Sequence, residues 1–348
     1  MKTKTQELLD ILTNLKPGLA QKDIVEQMTH FIFTGSNAVT YNDQIYISHP
    51  FETPFKTSVP AQELLQLLQK VESKNTILKM EENQLKVKCG KVSAGFSTLV
   101  EDQVFKLLPA LEKQLRKSKW DRLPEQVQEG LKLTMFSTTQ DMMKYSQGLT
   151  CVYANKNSIT SSDGHRAGIF QLDDSIKHSF LLTAITIPEL LKLDPIKYCL
   201  TDSWINFKNK EGTVFSVKKI VVEENVLKNV DKFFDSFKKK KRKVKLPQDN
   251  LLKAVDVGAI IEQSQVDMEK RIKISISPDE LIVGSKRETG WIETSVEIDY
   301  EGKPVEFQIH PEYFSNILNH ATTIYIGEDK VFFESSNFKH LICMYMEE

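Results

Sequence analysis

The sequence is poor in cysteine. Its 348 residues hold four, Cys89, Cys151, Cys199 and Cys343, far apart and with no CxxC pair. A zinc site is therefore not expected, and the apolar, strand-like surroundings of each point to reduced core thiols. The seven histidines are scattered, with no pair at metal-ligand spacing on a helix, so no metal is expected. GxxxxGK[ST], GxGxxG and HExxH are all missing, which removes the usual marks of phosphate, dinucleotide and zinc-protease chemistry. No cofactor is expected, and an enzyme becomes a poor expectation. No apolar stretch is long enough to span a bilayer, and the opening MKTKTQELLDIL has no run of signal-peptide length. The expected location is the cytoplasm. Net charge is also nearly absent. Against 46 Lys and Arg stand 47 Asp and Glu, a balance of −1, so any basic surface has to be offset by an acidic one elsewhere.

What is present starts with length, sufficient for two or three domains and a substantial core. Thr160 to Leu172 reads TSSDGHRAGIFQL. Asp163-Gly164 is a tight-turn dipeptide, because Gly tolerates positive φ and Asp can accept hydrogen bonds from the backbone just beyond it. With strand-compatible residues on both sides, the stretch predicts a hairpin presenting His165 and Arg166 at its corner. A Ser162/Asp163/His165 catalytic triad is rejected, since near-adjacent residues on one extended turn cannot relay a proton in line.

Prolines disclose a repeat. Pro60, Pro188 and Pro311 each open a run with apolar residues at helical spacing, as do Pro124 and Pro247. At a helix start the missing N–H of proline is harmless. Pro124 to Pro188 is 64 positions and so is Pro247 to Pro311; Pro124 to Pro247 is 123 and so is Pro188 to Pro311. The run Thr5 to Leu12 completes the set as the first helix. Short alternating runs between them, such as Gln84 to Lys88, Trp204 to Phe207 and Lys330 to Phe333, predict strands. The chain thus reads as three copies of one α+β module, each two helices on antiparallel sheets. Boundaries are expected at 1–116, 117–246 and 247–348, marked by the basic stretches Lys113 to Asp121 and Lys238 to Lys245. The second stretch reads as a solvated linker, with a nuclear import signal as a weaker reading.

The DGHR hairpin, the preceding Gln140 to Gly148, the strand Phe96 to Leu99 and the apolar ending Leu341 to Met346 together resemble the bacterial sliding clamp, the β subunit of the replicative DNA polymerase. The resemblance covers nearly the whole chain. It implies three repeated clamp domains per chain and a homodimeric six-domain ring around double-stranded DNA. The ring would tether DNA polymerase, and a clamp loader is a further partner. Such a protein holds DNA by the phosphate backbone without reading bases. By resemblance, DNA is touched by Lys22, Gln140, Lys144 and Tyr145, with Lys132, Lys192 and Lys253 on the repeated helices as further candidates. The partner-peptide cleft would use Ser146, Ser162, Gly164, His165, Arg166 and Ala167, then Val244 and Pro247, then Ile342, Met344 and Met346. The dimer interface would pair Phe96 with Ile260 and Ile261. Ser146, Ala167 and Tyr345 depart from the family pattern, as does the ending Glu347-Glu348, so the expectation is a divergent clamp of the kind a bacteriophage encodes. Two other readings stay open: a non-ring nucleic-acid-binding protein of repeated α+β domains, and an enzyme with a dispersed site.

Overall fold

The structure is a computed structural model and describes residues 1–21, 28–99, 103–139, 147–222, 226–234, 242–264, 269–321 and 323–345. Each expected helix start is found. Helices run Thr5–Leu15, Ala61–Lys70, Glu125–Thr134, Ile187–Lys192, Gln248–Gly258 and Pro311–Leu318, with proline within one residue of the first position in the last five. Their buried residues recur every three or four positions, as in Leu8, Ile11, Leu12 and Leu15, which is the stripe an α-helix needs to face a core.

The described residues form two compact units. The first comprises Met1–Glu125 and Ile185–Ile220, the second Gln126–Ala184 and Val221–Glu348. Each holds one eight-stranded and one four-stranded sheet, and every pairing within them is antiparallel. The two eight-stranded sheets share one topology. In the first unit the order is Thr57–Pro60, His30–Phe33, Asn37–Tyr41, Ile45–Pro50, Val214–Lys218, Trp204–Lys208, Lys197–Leu200 and Asp121–Arg122. In the second it is Phe180–Thr183, Cys151–Ala154, Ser158–Ser162, Arg166–Gln171, Phe338–Cys343, Lys330–Ser335, Thr323–Ile326 and Arg242–Lys245. Register matches as well. Tyr41 faces Tyr46 across its hairpin as Ser162 faces Ala167, and Trp204 faces Lys218 as Lys330 faces Cys343.

Each large sheet is covered on both faces. In the first unit Thr40 Oγ1 donates to Leu15 O at 2.7 Å, fixing the first helix on one face. The other face carries a helix that no motif announces, Gln103–Lys117. Its Leu108 and Leu115 bury against Ile32, Val39, Tyr46 and Trp204. In the second unit Ser161 Oγ donates to Thr134 O at 2.5 Å on the helix side. The opposite face takes a shorter covering, a 3₁₀ turn Val226–Asn229 running into the helix Val230–Phe233. Its Leu227, Val230 and Phe234 pack on Tyr153, Ala167, Ile169, Phe332 and Leu341. Both coverings precede the strand at the same end of their sheet, so they occupy equivalent places.

Candidate functional site

The hairpin at Asp163 forms as its sequence predicts, and its geometry explains each residue. Gly164 has φ +93°, a left-handed conformation that glycine adopts without strain. Asp163 Oδ1 accepts from the backbone N–H of His165 and of Arg166, both at 2.9 Å. This is an Asx turn, and the first unit repeats it: Asn42 Oδ1 accepts from Gln44 at 3.1 Å and Ile45 at 2.7 Å, with Asp43 at φ +70°. The turn is therefore a device of the repeat, and what sets the second unit apart is arginine where the first has Ile45. Arg166 does not stand at an open corner. It is 8% exposed, its Nε donates to Asp163 Oδ2 at 2.9 Å, and its guanidinium lies 3.8 Å from the Tyr313 ring centre. His165 is exposed.

On the other face of this hairpin lies a cavity of about 240 Å³. Leu149, Leu227, Val230, Phe233 and Leu341 give it apolar walls, Ser162, Gly164, Arg166 and Ala167 form the hairpin side, and Lys330 and Cys343 close the rim. The first unit shows why it exists. At the register positions of Ser162, Ala167, Lys330, Leu341 and Cys343 stand Tyr41, Tyr46, Trp204, Ser216 and Lys218. Tyr41 and Trp204 lie with ring centres 6.2 Å apart, and the longer helix Gln103–Lys117 seals them in. Small side chains and a shorter covering leave the second unit's equivalent open. Such an enclosure, apolar with a few polar groups at its edge, suits an apolar side chain or short peptide. Burial pushes the Cys343 thiol pKa up, with the nearby Lys330 charge acting against it.

Beneath the hairpin is a cluster of rings. His340 is fully buried among Phe136, Phe333 and Phe338 and meets Ser137 Oγ at 3.2 Å through Nδ1. Burial above all, then the charges of Arg166 and His320, hold its pKa well below the ordinary imidazole value.

Of the residues named from sequence, Ser162, Gly164, Arg166 and Ala167 line the cavity. Val244 is buried in the strand Arg242–Lys245, and Pro247 caps the helix Gln248–Gly258; neither lines it. Ile342 is buried at 1% and Met344 half-buried, while the cavity takes their neighbours Leu341 and Cys343. Lys22, Gln140, Lys144, Tyr145, Ser146 and Met346 lie outside the described residues. Lys132, Lys192 and Lys253 are exposed on their helices, and Lys192 is bonded to Glu189 at 2.7 Å. Phe96 is half-buried on Val92–Ser97, the end strand of one four-stranded sheet. Ile260 is 50% exposed and Ile261 half-buried, on the 3₁₀ turn beside Gly290–Glu297, the end strand of the other. Lys330 entered only as the first residue of a strand-like run, and Leu149, Leu227, Val230 and Phe233 belong to no motif. The one signal for them was the apolar spacing of Leu227, Val230, Phe233 and Phe234 just before the basic run.

No protein-family model matches the sequence, and no curated protein matches it. Solved structures do. The DNA polymerase sliding clamp from Bacillus subtilis matches with TM-score 0.80 at 15% identity, over 100% of this chain and 99% of that one. The same values hold for a DNA polymerase sliding clamp from Pseudomonas aeruginosa. This chain has the sliding-clamp fold. The β sliding clamp of C. crescentus agrees, with TM-score 0.78, 13% identity and 99% of both chains covered. The clamp fold is thus matched along the whole chain, with mixed α+β layers and, among the described residues, four antiparallel sheets.

Proposed function

We propose that this chain is a DNA sliding clamp, a processivity factor that encircles duplex DNA and tethers a DNA polymerase. The observation that carries this reading is the match of the clamp fold across the full length of both chains. The repeated proline spacing supports three domains at 1–116, 117–246 and 247–348. Two copies close head to tail, Val92–Ser97 of one pairing with Gly290–Glu297 of the other. In support, both are end strands, and apolar residues stand exposed beside them: Val92 at 43%, Trp291 at 67% and Ile260 at 50%. Unpaired strand edges with apolar neighbours invite such pairing. The cavity at Ala167 receives an apolar peptide from the polymerase or from a clamp loader. DNA is held through phosphates by lysines of the repeated helices, Lys132, Lys192 and Lys253 among them, and by Lys22, Gln140, Lys144 and Tyr145. No chemistry is performed, and the protein works in the cytoplasm, or the host's cytoplasm if viral. Electron micrographs of the purified protein test this reading. Closed two-copy rings with a central opening wide enough for a duplex bear it out; single open chains contradict it.

A further inference from the structure

In the first unit's large sheet, three cations stand in one row across three strands. Arg122 faces Lys197, and Lys197 faces Lys208. Directly opposed residues project on the same face. Lys208 Nζ lies 5.7 Å from the centre of the Trp120 ring, which packs with the helix Gln103–Lys117, so the row shares that helix's face. Asp121 pairs with Tyr198 and projects to the other side. None of Arg122, Lys197 and Lys208 forms an ion pair with a described residue. Like charges set directly opposite one another destabilise a sheet. The fold does not require them, because the equivalent row of the second unit is Lys245, Thr323, Glu334 and Lys339, with Lys339 paired to Glu334 at 3.7 Å. Exposed Lys119 extends the row along the chain. Arg116 and Lys117 suit the negative end of their helix and need no other account; the row has no such reason.

We propose that Arg122, Lys197 and Lys208 form a polyanion-binding surface for the phosphodiester backbone of single-stranded nucleic acid. Strands about 4.8 Å apart give the row a span of about 10 Å, matching about three phosphate spacings at roughly 3.4 Å rise per nucleotide. The half-exposed Trp120 beside it offers a ring on which a base stacks, the pairing of cations with an aromatic platform that single strands use. The face is opposite the one that carries the helix Thr5–Leu15, so this path is distinct from the phosphate contacts proposed for the repeated helices. It does not depend on ring closure.

Fluorescence anisotropy of the full chain with a labelled oligothymidylate, measured across a salt series, tests this. The variant Arg122→Gln/Lys197→Gln/Lys208→Gln is expected to bind about tenfold more weakly or worse, and its slope of log K against log salt to shrink by about two. Its melting temperature is expected to hold or rise, since the like-charge row is gone. Should the triple variant fail to fold, Lys197→Gln alone, at an exposed position, is expected to shrink the slope by about 0.7. Unchanged affinity and slope overturn the proposal. So does a larger loss with a duplex of equal length, or a loss confined to vesicles of anionic lipid with oligonucleotide binding intact.

Discussion

Asp163 makes two separable contributions. Its Oδ1 holds the turn, a task Asn42 performs in the twin hairpin, and its Oδ2 neutralises a buried arginine. Asp163→Asn keeps the first and abolishes the second, leaving Arg166 buried and uncompensated. Breaking a buried pair from one side costs about 3–5 kcal/mol, whereas replacing both partners with apolar or neutral groups is often close to neutral. Urea unfolding should therefore show Asp163→Asn destabilised by about 3 kcal/mol, and Asp163→Asn/Arg166→Ile, which copies the first unit's Asn42 and Ile45, partly restored. His340 gives a pH dependence of known sign. Its folded-state pKa lies below the unfolded value of 6.5, so under acid the unfolded chain binds the proton first. Stability is full above pH 6.5 and falls as the pH drops below it. The melting temperature of His340→Gln should fall less between pH 7 and pH 5 than that of the native chain. An equal fall would remove His340 from the account. The DGHR motif was legible as a turn because Asp-Gly fixes local geometry. Arginine burial was not legible, because it depends on Tyr313, 147 positions away.

At the scale of elements, one sheet topology is used twice and filled differently. Tyr41, Tyr46 and Trp204 close one copy, while Ser162, Ala167 and Lys330 leave the other open. Cys343 reports on that opening. Cys89, Cys151 and Cys199 are buried, while Cys343 is half-buried on the cavity rim. A thiol reagent at pH 8 should label Cys343 first by mass spectrometry, and Ala167→Tyr, which installs the residue of the closed copy, should slow that labelling about tenfold or more. Fast labelling of a buried cysteine, or an unaltered rate in Ala167→Tyr, would contradict this description of the cavity. All six repeated helices were legible, because proline at the start of five of them and apolar periodicity in all six are local signals. The facing of the last strand was not. Leu341-Ile342-Cys343 is apolar throughout, and a strand covered on both faces gives no alternation to say which residues point to the cavity. Nor was the helix Gln103–Lys117 legible as a lid, since Pro109 breaks its pattern and only the sheet beneath gives its leucines a purpose.

For the whole molecule, the recurring helix starts were legible from arithmetic on five prolines, a long-range regularity that survives when overall identity to solved clamps is 15%. Contacts between copies would leave no such trace in the chain, because an interface is written in surface residues that also have roles within their own unit. Ile260→Asp/Ile261→Asp should convert a dimer to a monomer in sedimentation, with the helical content of the chain unchanged. A dimer that persists would place the interface elsewhere. Closure would hold DNA by enclosure, so individual phosphate contacts can be weak and salt-sensitive. The most direct measurement is retention on DNA before and after a topological change. Protein assembled on nicked circular DNA and separated from free protein should stay with the circle through a wash at moderate salt, then leave within minutes once a restriction enzyme cuts the circle. Protein that remains on the linear product to the same extent, or that never survives the wash on the circle, would contradict encirclement.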